Sequence, residues 1–210
     1  MKKPLQYTLA LSTLVLLPAN SHAFIGDGLY IGAGMSYDAP QNWNLDAIKN
    51  IKLKDNVGGS GIIGYDWGRI RTEVELLYRR NGFQDARFGG ITAPVTGHLE
   101  NVTVLANLIY EHPITQRLGV YVGAGAGPAV LTVKDFSSSS WAGNFSRDEI
   151  TLGYQGVAGL TLSLTKSLSV NLGYRYLGAT DLRFRNGGID YGKTGIASHS
   201  AELGLRWIMF

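Results

Sequence analysis

"SLSVNLGYRYLGATDLRF", residues 167–184, decides the fold. Leu168, Val170, Leu172, Tyr174, Tyr176, Leu182 and Phe184 share one parity, while Ser169, Asn171, Gly173, Arg175, Asp181 and Arg183 share the other. Successive side chains leave a strand on opposite sides, so this segment predicts a strand with one greasy face and one polar or tiny face.

The same period of two spreads outward from it. In "IRTEVELLYRRNGF", Ile70, Thr72, Val74, Leu76 and Tyr78 oppose Arg71, Glu73, Glu75 and Arg79. In "DEITLGYQGVAGLTLSL", Ile150, Leu152, Tyr154, Ala158, Leu160, Leu162 and Leu164 oppose Thr151, Gly153, Gln155, Gly159 and Ser163. In "HLENVTVLANLIYE", Val102, Val104, Ala106, Leu108 and Tyr110 oppose Asn101, Thr103 and Asn107, with Leu105 and Ile109 blurring the alternation. Fainter versions over 29–37, 57–67, 118–133 and 199–210 bring the expected total to eight strands.

Loop lengths then select the architecture. The turns "DWGR" (66–69), "HPITQR" (112–117) and "TKS" (165–167) are tight, and alternate with long polar connections at about 38–56, 84–97, 134–147 and 185–197. Short turns on one rim and long loops on the other predict an all-β, eight-stranded antiparallel transmembrane up-and-down β-barrel. Aromatic rings on the apolar parity fall into two belts: Tyr65, Trp67, Tyr110 and Trp207 near the short turns, and Tyr37, Tyr78, Tyr154 and Phe184 near the long loops. A bilayer selects such belts at its two interfaces. The greasy parity therefore faces lipid, and the charges point inward.

Composition agrees. Of 210 residues 45% are hydrophobic and 17% charged, below the roughly 25% of a typical soluble domain. Cysteine is absent, which removes disulfides and thiolate metal sites. "MKKPLQYTLALSTLVLLPANSHAF" has basic Lys2 and Lys3, an apolar run from about Leu9 to Leu17 and a small-x-small end at Ser21-His22-Ala23. That pattern is a secretory signal peptide over 1–23, leaving a barrel domain over 24–210. Without Lys2 and Lys3, 19 basic against 16 acidic residues becomes 17 against 16, a net +1. With no basic cluster and no helix to dock, nucleic acid is not an expected partner. No later segment reads as a spanning helix, since the longest uncharged apolar stretch, 118–133, is short and broken by glycines.

Those glycines, in "YVGAGAGPAV" (121–130), imitate a phosphate loop. A nucleotide loop needs a helix to follow, and Pro128 with "KDFSSSS" supplies none. The period instead places Gly123, Gly125 and Gly127 in the lumen, making room for long side chains opposite, while Val120, Val122, Ala124, Ala126 and Val130 face lipid.

By parity the lumen holds Arg71, Glu73, Glu75, Arg79, Arg175, Glu202 and Arg206. Charges in a narrow, low-dielectric interior are costly unless paired, so acids and bases are expected to pair across it, as a permanent plug or as a gate that rearranges. Glu73 and Glu75 share a face, as acid–base catalysis can require, but arginines at both flanks favour ion pairing. "HSAE" puts His199 and Ser200 near Glu202, yet neighbouring residues point to opposite sides, with Ser200 and Glu202 inward and His199 outward, so no triad assembles. His98 and His112 lie near opposite rims. No catalytic residue, metal ligand or cofactor is expected, and the chain does not read as an enzyme.

"VTVLANLIYE" (102–111) followed by "LGVYVGAGAG" (118–127) is similar to the fourth and fifth strands of opacity-type surface antigens. "LSVNLGYRYLGATDLRF" and the closing "HSAELGLRW" resemble that family's last two strands, and the chain also resembles the transmembrane domain of outer membrane protein A. Phe210 matches the aromatic end that such barrels present to the barrel-assembly machinery, although it shares parity with Arg206 rather than with Leu203, Leu205, Trp207 and Met209. The resemblance implies a monomer in the outer membrane of a Gram-negative bacterium, surrounded by lipid and lipopolysaccharide. Its exposed loops would serve adhesion to a host or surface ligand, immune contact or envelope integrity. A narrow gated channel or small-ligand transporter is the second reading, and a lipid A-modifying enzyme the third. The segment 38–56 mixes Trp43, Ile48, Ile51 and Leu53 with Lys49, Lys52 and Lys54, which suits a mobile surface loop or a short amphipathic segment on anionic headgroups.

Overall fold

The structure is a computed structural model and describes residues 28–40, 49–53, 56–88, 91–138, 141–186 and 189–209. The signal segment and Phe210 lie outside the described residues. The chain forms β1 (Gly28–Pro40), β2 (Lys49–Leu53), β3 (Asn56–Asp66), β4 (Ile70–Phe88), β5 (Ile91–Pro113), β6 (Leu118–Ser138), β7 (Trp141–Ser163), β8 (Leu168–Asn186) and β9 (Ile189–Ile208). All strands but β2 form a closed antiparallel barrel. β1 pairs with β9 from Tyr30↔Ile208 to Pro40↔Ser198, and β4 pairs with β5 along its length. Closure leaves no sheet edge in the barrel wall, the condition that lets strands cross hydrocarbon.

Following hydrogen-bonded partners once around the wall measures its stagger. Tyr30 leads to Gly64, Glu73, Asn107, Gly125, Gln155, Leu177, Ser198 and back to β1 at Pro40, ten residues on. Eight strands with that shear tilt by about 40° and enclose a cylinder of about 8 Å radius, just filled by side chains.

The wall is inside out relative to a soluble barrel. Met35, Val57, Val74, Leu76, Leu108, Val122, Ile150, Leu172 and Leu205 are exposed, whereas Arg71, Glu75, Arg79, Arg175 and Arg206 are buried. Trp67, Tyr65 and Trp207 ring one end of the apolar band, and Tyr37, Tyr78 and Tyr154 ring the other. Phe184's side chain lies outside the described residues.

The three tight turns are built locally. Gly68, at φ 94, takes the left-handed conformation, and its N–H donates to Asp66 Oδ1 at 2.9 Å. The other two share one device. Thr115 Oγ1 accepts from the N–H groups of Arg117 and Leu118, and Thr165 Oγ1 from those of Ser167 and Leu168.

The long connections depart from expectation. Segments 84–97, 134–147 and 185–197 are mostly strand: β4–β5, β6–β7 and β8–β9 stay paired to Phe88↔Ile91, Ser138↔Trp141 and Asn186↔Ile189. Within 38–56, β2 pairs antiparallel with β4, Lys49 against Arg87 and Leu53 against Phe83, which makes nine strand segments rather than eight. The physical reason is that backbone pairing needs no greasy face. Once the wall leaves the bilayer both faces meet water, so the ladder persists while the apolar alternation fades. The boundary itself is marked by register shifts at Gly82/Asp85, Thr96/His98, Val133/Phe136 and Ala179/Leu182. Bulges of this kind cluster at barrel rims.

Candidate functional site

The lumen is stacked in three charged layers. At the short-turn end, Arg71 Nη1 meets Glu111 Oε2 at 2.5 Å, and its Nε lies 3.8 Å from Glu73 Oε1. Arg206 Nη1 is shared between Asp66 at 3.3 Å and Glu111 at 3.4 Å, while its Nε donates to Ser169 Oγ at 3.1 Å. Tyr30 donates its hydroxyl to Glu73 Oε1 at 2.5 Å, and its ring lies under the Arg206 guanidinium at 5.5 Å. Arg71 stacks likewise over Tyr121 at 5.6 Å, so both cations also gain a ring face.

In the middle layer Arg175 grips Glu75 with two parallel contacts, Nη2–Oε1 at 2.7 Å and Nη1–Oε2 at 2.9 Å. This fork is the strong, orienting form of the pair. Arg175 also reaches Glu202 through Nε and, at 3.0 Å, through Nη2. Gln155 accepts from Arg175 at 2.6 Å and donates to Glu75 at 3.0 Å and Asn107 Oδ1 at 2.7 Å; Asn107 donates to Glu75 at 3.1 Å. Each buried charge thus has hydrogen-bonding neighbours as well as a counterion, which is what makes such burial tolerable.

Towards the long-loop end, Arg79 lies 3.2 Å from Asp38 and donates to Ser198 and Ser200 at 2.7 and 3.0 Å. Leu77, Leu105 and Leu177 pack into a buried apolar cluster in the lumen. Two small cavities remain, of about 60 Å³ beside Glu73, Glu75 and Glu202, and about 30 Å³ beside Arg79. The larger holds a few waters at most.

All seven residues marked by parity therefore point inward, but they do not form one site. Glu73 and Glu75 belong to different layers, the first on Tyr30 and Arg71 and the second on Arg175. Ser200 is held by Arg79 and Glu202 by Arg175, whereas His199 faces outward, its Nδ1 on the Tyr174 hydroxyl and its ring 5.3 Å from Tyr176. No group of three or more His, Cys, Asp or Glu is arranged to hold a metal among the described residues.

The β6 glycines face the lumen, with a reason different from the one expected. A Cβ at Gly125 would sit 1.8 Å from Asn107 Oδ1, and one at Gly123 would sit 2.7 Å from Ile109 Cγ1. The crowding comes from the adjacent strand β5, whose side chains lean over β6, and not from across the lumen. Tyr121 in turn leans over the next two strands, β7 and β8, where its hydroxyl would meet a Cβ at Gly159 at 2.7 Å and at Gly173 at 2.2 Å.

A family model for the outer membrane protein beta-barrel domain matches residues 8–207. The chain belongs to that family. Among curated proteins, nothing matches this outer membrane barrel. Solved structures share its fold at low identity. Neisserial surface protein A is 16% identical with a TM-score of 0.61, over 88% of this chain and 99% of that one. The outer membrane protein OprG from Pseudomonas aeruginosa is 14% identical with a TM-score of 0.58, over 89% and 99%. The outer membrane protein AlkL is 19% identical with a TM-score of 0.52, over 92% and 95%.

Sequence reasoning missed Asp38, Asp66 and Glu111, which complete the ion pairs, and Tyr30, which caps Glu73. The signal was present. Asp38 continues the parity of Gly34 and Ser36, Asp66 that of Gly64, and Glu111 that of Asn107 and Ile109, but each stands at a boundary where a loop or turn was expected to begin.

Proposed function

We propose that this outer membrane barrel is sealed along its axis and acts through its extracellular hairpins, in envelope structure and in attachment to a host or cell-surface ligand. The carrying observation is the filled lumen, in which arginine–carboxylate layers stand at three heights, with small cavities of about 60 and 30 Å³ beside them. Solutes have no way through it unless several buried pairs part together, each at a cost of several kcal/mol. Lipid and lipopolysaccharide surround it, the barrel-assembly machinery receives its C-terminal strand, and it works as a monomer without catalysis. Planar-bilayer recordings and whole-cell binding test the reading together. We expect no discrete conductance, and stronger binding to matrix or serum components by cells that carry the protein. Steady single-channel currents would refute the seal, and equal binding with and without the protein would refute the attachment role.

A second reading has one observation in its favour. The three layers hold four guanidiniums (Arg71, Arg79, Arg175, Arg206) against six carboxylates (Asp38, Asp66, Glu73, Glu75, Glu111, Glu202). If recordings do show a current, this surplus of negative charge makes it cation-selective.

A further inference from the structure

Arg80, His98, Glu100 and Lys134 form a charged group on the outer face of the wall, where β4, β5 and β6 run side by side. Glu100 stands at its centre. Lys134 Nζ lies 2.8 Å from Glu100 Oε2, while His98 Nε2 and Arg80 Nε lie 3.4 and 3.9 Å from Oε1. The two cations are thus held apart, one on each carboxylate oxygen. Arg80 Nη2 closes the group at 3.3 Å from His98 Nε2. Asp148, exposed on β7 opposite Thr132, bounds it on one side.

The register fixes its height. Tyr78↔Val102 is the aromatic-belt row of these strands, and Arg80↔Glu100 is the next outward row, two residues or about 7 Å further along. The register shifts at Gly82/Asp85 and Thr96/His98 begin just above it. The group therefore sits immediately beyond the greasy band, at the level of the lipid headgroups. Beneath it Leu76, Tyr78, Val102 and Val104 are exposed, an apolar bed for acyl chains. Elsewhere around this rim the described outer wall presents Tyr37, Val57, Leu152 and Tyr154.

Ion pairs this exposed contribute little to folding. Arg80 and Lys134 are 57% and 47% exposed, and they carry more N–H donors than Glu100 and His98 take up. An anion that is to gain from them must outweigh Glu100, which already touches both. A second carboxylate merely duplicates it. A phosphate monoester carries up to about two charges on three acceptor oxygens, and so can take Arg and Lys donors at once.

We propose that Arg80, Lys134 and His98 form a binding site for a phosphate group of lipid A, with the acyl chains of the same molecule lying down the wall along β4 and β5. The site rests on the reading that lipopolysaccharide surrounds the barrel, and it marks one place on that ring.

The refolded barrel, stripped of lipid in detergent, is titrated with bis-phosphorylated lipid A and followed by native mass spectrometry. One molecule should be retained in preference to phosphatidylethanolamine. Arg80→Gln with Lys134→Gln should weaken retention about 25-fold, about five-fold for each cation, as expected of basic side chains at a charged leaflet. Arg69→Gln with Arg117→Gln removes two exposed cations from the short-turn rim and should change nothing. Lipid A stripped of its phosphates should bind wild type no better than the bis-phosphorylated form binds the Arg80/Lys134 variant, and millimolar inorganic phosphate should not displace the lipid. All variants are compared as barrels that migrate as folded. Equal loss in the two double variants, indifference to the phosphates, or displacement by inorganic phosphate overturns the site. Wild type that retains phospholipid as readily as lipid A sinks the lipopolysaccharide surroundings along with it, whereas a preference that the Arg80/Lys134 variant keeps sinks the site alone.

Discussion

The Arg175 cluster and the Glu100 cluster are made of similar parts in opposite surroundings. Arg175 lies between Glu75 and Glu202 in the lumen, with side-chain exposures of 5%, 1% and 17%. Glu100 lies on the outer wall among Arg80, His98 and Lys134, with Lys134 Nζ at 2.8 Å and 47% exposed and Arg80 at 3.9 Å and 57% exposed. By distance alone the Lys134–Glu100 pair, at 2.8 Å, would rank with Arg175–Glu75, at 2.7 Å. Solvent decides otherwise: water and salt screen the outer group, while the inner group has only its partners to replace lost hydration. Ion-pair geometry therefore says little about stability in this molecule until the side of the wall is known.

Four substitutions would sharpen or break that contrast. The largest loss should come from Arg175→Leu, which strands Glu75 and Glu202 in the lumen and should cost about 3–5 kcal/mol. Thermal unfolding in detergent or urea titration in vesicles reads it, and an unchanged midpoint would reverse the inside–outside assignment. Next is Gly125→Val, which drives a branched side chain into Asn107 and the Ala106 carbonyl and should cost about 1–3 kcal/mol in the same assay. Tyr30→Phe removes one hydrogen bond to Glu73 but leaves Arg71 beside it, so about 1 kcal/mol is expected. Last, Lys134→Ala should leave the unfolding midpoint where it was at physiological salt. A loss there comparable to that of Arg175→Leu would erase the distinction between the two clusters. Spin labels give an independent check, because positions 160 and 162 should report hydrocarbon and positions 153 and 155 a packed interior.

Legibility in the sequence followed the solvent too. Where the wall crosses the bilayer, one face meets lipid and the other the lumen, and the period of two is written plainly, as in Leu172 against Gly173 or Val74 against Glu75. Above the bilayer Asp85 to Phe88 still pair with Pro94 to Ile91, but without an apolar side to mark them. The inward side chains were readable for the same reason that the strands were. What was not readable was their grouping into layers, because partners such as Arg175 and Glu75, or Arg79 and Ser198, are brought together only by the stagger of the closed cylinder. Leu77, Leu105 and Leu177 show the limit of parity from the other side. As apolar residues on the polar face they look like noise in the pattern, yet they pack together as a buried cluster inside the barrel.

The seam between β1 and β9 joins residues almost the full length of the chain apart, as at Tyr30↔Ile208. No local contact can form it early, so uniting the two ends is the slow, final event of folding, and every earlier intermediate is a curled sheet with two raw margins. A chain that stops before its ninth strand would keep those margins open for good, and would be a target for quality-control proteases rather than a smaller barrel.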